Sequence, residues 1–165
     1  MELTDENREA VRAAAAAMVE RAAAGDQRAV NSIGSVVEAQ FGAGGLAYLM
    51  LQFAEDVVQY APDEVRNPFA KVQPGLALTA EQFEALADLV HPDWLSHAAG
   101  CGKSPAPMAV IFDHVAAYLR AVQRQDTSGM VQVVRTVAEG HPTDRAMMFE
   151  TVLALASMYS PAASR

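Results

Sequence analysis

The chain has 165 residues, 52% of them apolar, with 20 acidic against 12 basic side chains and a formal charge of −8. That length suits one domain able to bury about two-thirds of the surface its unfolded form exposes, and the apolar share excludes intrinsic disorder. Lys and Arg are scattered singly, which speaks against nucleic acid as a partner, because such affinity comes from neutralising phosphates.

The apolar stretches fall short of a membrane span and are interrupted by Glu55, Asp56 or Arg120, so no membrane association is expected. The first ten residues, MELTDENREA, are acidic and polar, the opposite of a signal peptide. The single cysteine, Cys101, excludes an internal disulfide framework, and these features together predict a cytoplasmic location.

Taken in chain order, the periodicity predicts an all-α protein, a single bundle of six to seven helices. A helix over 5–24, capped by Thr4 or Asp5, turns Val11, Ala14, Ala15, Met18 and Ala22 inward and stops at Gly25. Asp26 caps a helix over 27–41 that ends at Gly42, and a third, over 45–60, buries Leu46, Leu49, Met50, Phe53, Ala54 and Val57. A proline-rich stretch follows, in which Phe69 is the best-placed anchor, and Thr79 with Gln82 opens a helix over 80–90. Ser104 as N-cap and Pro105 at the first position predict a helix over 105–125, with Ile111, Val115, Leu119 and Val122 inward. Two more follow, over 128–139 and 143–158.

The two ends echo each other. At an offset of 100, Val11, Ala15, Val19 and Ala22 fall on Ile111, Val115, Leu119 and Val122, and Asp26 falls on Asp126. At an offset of 99, Tyr60 and Pro62 fall on Tyr159 and Pro161. The chain therefore reads either as two repeated three-helix units, 5–60 and 105–160, flanking a middle segment 61–104, or as two generic hairpins of helices.

Several motifs invite a chemical reading. Gly102-Lys103-Ser104 resembles the end of a phosphate-binding loop, but His97 stands where its first glycine belongs. No strand precedes it, and Pro105 and Pro107 remove two N–H groups a phosphate would use, so it reads as a helix start. His91, Asp93, His97 and Cys101 are chemically suited to zinc or iron, or to thiol chemistry, but match no standard ligand spacing. The plainer reading is a short turn with a small buried cysteine. No metal and no cofactor is expected.

His114 sits at the edge of an apolar stripe, where a histidine is usually a hydrogen-bonded boundary residue. The 143–158 helix carries one apolar stripe of Met148, Phe149, Val152, Leu153 and Ala156 and a second of Met147, Ala154, Leu155 and Met158. A helix apolar on so much of its surface either lies at a bundle centre or is covered by another molecule. Glu150 is its lone interior acid, and unless it reaches solvent or a cation such as Arg135 its carboxyl should titrate high.

The leading expectation is a non-catalytic interaction or regulatory module that dimerises through Met147, Ala154, Leu155 and Met158. A basic protein is the other partner class its charge would attract. Two alternatives stand beside it: a small-molecule binder lined by Met50, Phe53, His114, Met148, Phe149 and Glu150, and an enzyme using the 91–101 segment.

Overall fold

The structure, a computed structural model, describes residues 3–63 and 102–164. All regular structure among them is helical: α1 (Asp5–Ala23), α2 (Gln27–Tyr60), α3 (Met108–Gln123), α4 (Thr127–Ala138), α5 (Pro142–Tyr159) and a 3₁₀ turn at Pro161–Ser164. Among the described residues five α-helices are found, against the six to seven expected for the whole chain. Segments 27–41 and 45–60 run together as α2, while the helix expected over 80–90, with Thr79, Gln82 and Phe69, lies outside the described residues. The described residues fall into two compact units, 3–61 with 152–164 and 62–63 with 102–151.

In the first unit Thr4 caps α1, its hydroxyl accepting from the Asn7 N–H at 3.3 Å, while Asp5 and Glu6 complement the positive helix start. Val11, Ala15, Met18 and Val19 form the buried stripe of α1. It packs on α2, whose Val30, Val37, Leu49, Phe53, Ala54 and Val57 are buried in turn. Phe53 is fully buried, worth about 1.5–3 kcal/mol relative to exposure. The 3₁₀ turn also rests on α1, and Ser160, just before it, donates its hydroxyl to Asp56.

At Gly42 the backbone leaves helical geometry, with φ 62° and ψ −156°, a region essentially reserved for glycine. Three residues later no side chain fits: a Cβ on Gly45 would lie 2.6 Å from that of Phe41 and 3.0 Å from Val37 Cγ1. The departure reverses the chain. Met18 Cε lies 3.8 Å from where a Cβ on Gly34 would stand, which pairs α1 with the first arm of α2. Arg12 also places its guanidinium 5.9 Å from the ring centre of Tyr48, in the second arm. Along straight helices Arg12 would stand about 18 Å from the α1–α2 turn and Tyr48 about 33 Å from it, so the contact requires α2 to double back.

In the second unit α3 packs on α4 and buries Ile111, Val115, Ala116, Tyr118, Leu119, Ala121 and Val122. It starts at Met108, not at 105, and Ser104 makes no cap; Pro107 occupies the N-cap position with no side-chain bond. The reason is steric. A residue preceding proline is driven out of the α region, so Ala106 cannot be helical and the helix waits for Pro107. Gly102-Lys103-Ser104 therefore starts no helix. Lys103 instead donates to the carbonyl of Glu139, the C-cap of α4, where a cation complements the negative helix end.

The α1–α2 and α3–α4 turns share one geometry. Ala24 and Arg124 are right-handed C-caps, Gly25 and Gln125 take positive φ (73° and 56°), and Asp26 and Asp126 cap the next helix. The N–H groups of Ala24, Gly25 and Asp26 donate to Glu20, Ala22 and Arg21, and those of Arg124, Gln125 and Asp126 to Arg120, Val122 and Ala121. Asp26 accepts from Ala29 N–H at 3.1 Å and Asp126 from Gly129 N–H at 2.9 Å. Gln125 is the only positive-φ residue besides glycine among those described, at a cost of about 1–2 kcal/mol. Gln125→Gly should accordingly raise stability by about 1 kcal/mol in urea unfolding, whereas Gly25→Ala should lower it by a similar amount.

Candidate functional site

α5 starts with no serine, threonine or asparagine at its N-cap position, and a histidine takes over the role. His141 Nδ1 accepts from the Thr143 N–H at 3.2 Å and pairs with the Thr143 hydroxyl at 2.6 Å. The His141 N–H donates to Asp144 Oδ2 at 3.0 Å, which closes a reciprocal capping box across Pro142. The other carboxylate oxygen, Oδ1, accepts from the Ala106 N–H at 3.0 Å and so ties the start of α5 to the segment leading into α3. His141, Thr143 and Asp144 are all buried.

A hydroxyl hydrogen-bonded to an imidazole is half of a nucleophile–base pair. Here it is used differently. The Asp144 carboxylate engages two backbone N–H groups, and among the described residues no carboxylate is hydrogen-bonded to the imidazole. The Thr143 hydroxyl, at 4% exposure, is closed to a substrate. This constellation is structural. The segment HPTD does carry a sequence signal, with proline at the first helical position and an acid two residues later, but histidine falls outside the usual cap set and hides it.

Beyond this box the surroundings of α5 change along its length. Thr143, Asp144, Ala146, Met147 and Met148 are buried, which covers the first turns on nearly all sides, with only Arg145 reaching out. From Val152 onward a single face is buried, formed by Val152, Leu153 and Ala156. The opposite row is open: Ala154 is exposed, Leu155 half-buried, and Met158 67% exposed. The second apolar stripe is thus divided, with Met147 covered inside the chain and Ala154, Leu155 and Met158 facing outward.

The residues expected to line a ligand pocket are distributed over both units. Met50 and Phe53 are buried in the first, while in the second Met148 is buried and His114, Phe149 and Glu150 are half-buried. Burial holds the Glu150 carboxyl above the usual carboxylate range. Among the described residues no cation forms a salt bridge with it, and Arg135 is exposed on α4. His91, Asp93, His97 and Cys101 lie outside the described residues. Among the described ones, no three His, Cys, Asp or Glu side chains are grouped as metal ligands, and no helix is long and apolar enough to cross a membrane.

Two measurements follow from these environments. Asp144→Ala leaves two amide groups without their acceptor and should cost about 1–3 kcal/mol in chemical unfolding, with Asp144→Asn intermediate because one amide oxygen remains. For Glu150 the folded pKa is raised, so the folded state binds the extra proton between the ordinary glutamate pKa and the raised one, and stability falls as pH rises through that window. Glu150→Gln should raise Tm by a few degrees at pH 7, with the difference vanishing below about pH 4. Compared with models of protein families, with curated proteins and with solved structures, the chain finds no match in any of the three.

Proposed function

We propose that this chain is a non-catalytic, cytoplasmic interaction module that associates with a second copy of itself through the outward row of α5. The observation that carries the reading is the exposure of Met158, 67%, on the row it shares with Ala154 and half-buried Leu155. No charged side chain lies on that row from Thr151 to Met158, and flexible methionine suits a surface that must pack against another. The buried Thr143 hydroxyl and His141 Nδ1, engaged with each other in the cap of α5, favour an interaction role over catalysis. A basic protein is the competing partner. From Arg28 to Arg66 there are five acids, Glu38, Glu55, Asp56, Asp63 and Glu64, and no intervening Lys or Arg.

We further propose that the chain arose by duplication of a three-helix unit, 5–60 and 105–160, with α2 counted as two helices meeting at Gly42 and the middle segment inserted between the copies. The matched turns at 24–26 and 124–126 support this reading, as does burial. At an offset of 100 the pairs Val11–Ile111, Ala15–Val115, Met18–Tyr118, Val19–Leu119 and Val37–Val137 are buried on both sides. At an offset of 99 so are Leu49–Met148, Phe53–Val152, Ala54–Leu153, Val57–Ala156 and Ala61–Ser160. The outward row of α5 then has its counterpart on the second arm of α2, where Glu55, Asp56 and Gln59 replace Ala154, Leu155 and Met158. One copy kept a wet face and the other acquired an apolar one.

Native mass spectrometry of the untagged chain tests the association: a dimer is expected, and Leu155→Glu or Met158→Glu should yield monomers with unchanged helix content. A monomeric parent chain would overturn the reading. A complex that forms only with a basic protein, and weakens with salt, would assign the interaction to the acidic 28–66 region and not to the α5 row.

A further inference from the structure

Straightening α2 requires little local change. The residues on either side of Gly42 belong to helix, and Gly42 alone departs from helical angles. Gly42, Gly44 and Gly45 stand within four positions, which weakens the straight helix, and Gly42 tolerates a conformation other residues resist. Two states of α2 therefore differ mainly in the φ and ψ of one residue. They do not differ in what each arm can bury, provided a partner supplies the missing arm.

We propose that Gly42 is a hinge through which two copies of this chain exchange their N-terminal hairpins. In the exchanged form α2 is one straight helix of 34 residues, about 51 Å long. Arg12 can then no longer reach Tyr48 of its own chain. The pair re-forms between copies, with the hairpin of 5–41 from one chain resting on residues 45–60 of the other. Every contact of the folded-back form is recovered, the Gly42 backbone returns to ordinary helix, and the cost is the entropy of association. Such exchange of an identical element is a low-cost route to dimers when a hinge is short. The surface involved is independent of the α5 row, so the two associations are separable by mutation.

The test uses the full chain carrying Met158→Glu, which removes the α5 association, and Cys101→Ser. Alanine at position 42 resists the folded-back angles and favours helix, so Gly42→Ala should raise the dimer association constant about tenfold or more in analytical ultracentrifugation. A second measurement keeps the native hinge. Chains bearing Arg12→Cys and chains bearing Tyr48→Cys are unfolded together, refolded at high concentration and treated with a short bismaleimide. A crosslink between the two chain types is expected after co-refolding and not after mixing chains folded separately. A folded Gly42→Ala chain that stays monomeric, or co-refolded chains that never crosslink, would overturn the proposal.

Discussion

The constraint on which the described structure depends is the set of amide groups that every α-helix leaves unpaired at its start. Three aspartates answer it. Asp26 and Asp126 each close a tight turn by accepting from the third residue of the following helix, and Asp144 accepts from the residue that begins its own capping box. Asp144 does more than cap, because its second oxygen takes the Ala106 N–H and ties the chain ahead of α3 to the start of α5. Among the described residues no buried side-chain oxygen or nitrogen lacks a partner, so these junctions are stabilised without an orphaned polar group.

The core itself is built from modest side chains. Alanine and valine dominate the buried positions of α1 and α3, with Met18, Phe53, Leu119 and Leu153 supplying the bulk. Small residues let helices approach closely. Of the large apolar side chains exposed among the described residues Met158 is the most exposed, ahead of Val131 and Val36, which ties the functional proposal to packing rather than to a catalytic group. The doubling back of α2 is the other point where packing and backbone meet, since Gly45 sits where Phe41 and Val37 leave no room for a Cβ.

Much of the helical pattern was legible in the residues. Thr4 and Asp26 cap where their type and position suggest, and Gly25 takes the positive φ that ends α1. α3 starts later than its local pattern suggests, because Ser104 and Pro105 form a persuasive signal that Pro107, two residues on, cancels. The start of α5 was legible only in part, because a histidine cap is recognised by its hydrogen bonds and not by its frequency. The two apolar stripes of α5 were visible as stripes, yet nothing in their composition says which is covered.

By itself, then, the sequence determined the helical class, the turn positions and the apolar faces, because these follow from local periodicity and from side chains reaching backbone groups a few residues away. Tertiary structure alone decided that Met147 is covered while Met158 on the same row is open, that Tyr48 returns to Arg12, and that Asp144 reaches Ala106 across 38 residues of chain. Those outcomes depend on which surfaces meet after the chain reverses. A helical pattern repeats every few residues and carries no record of distant neighbours.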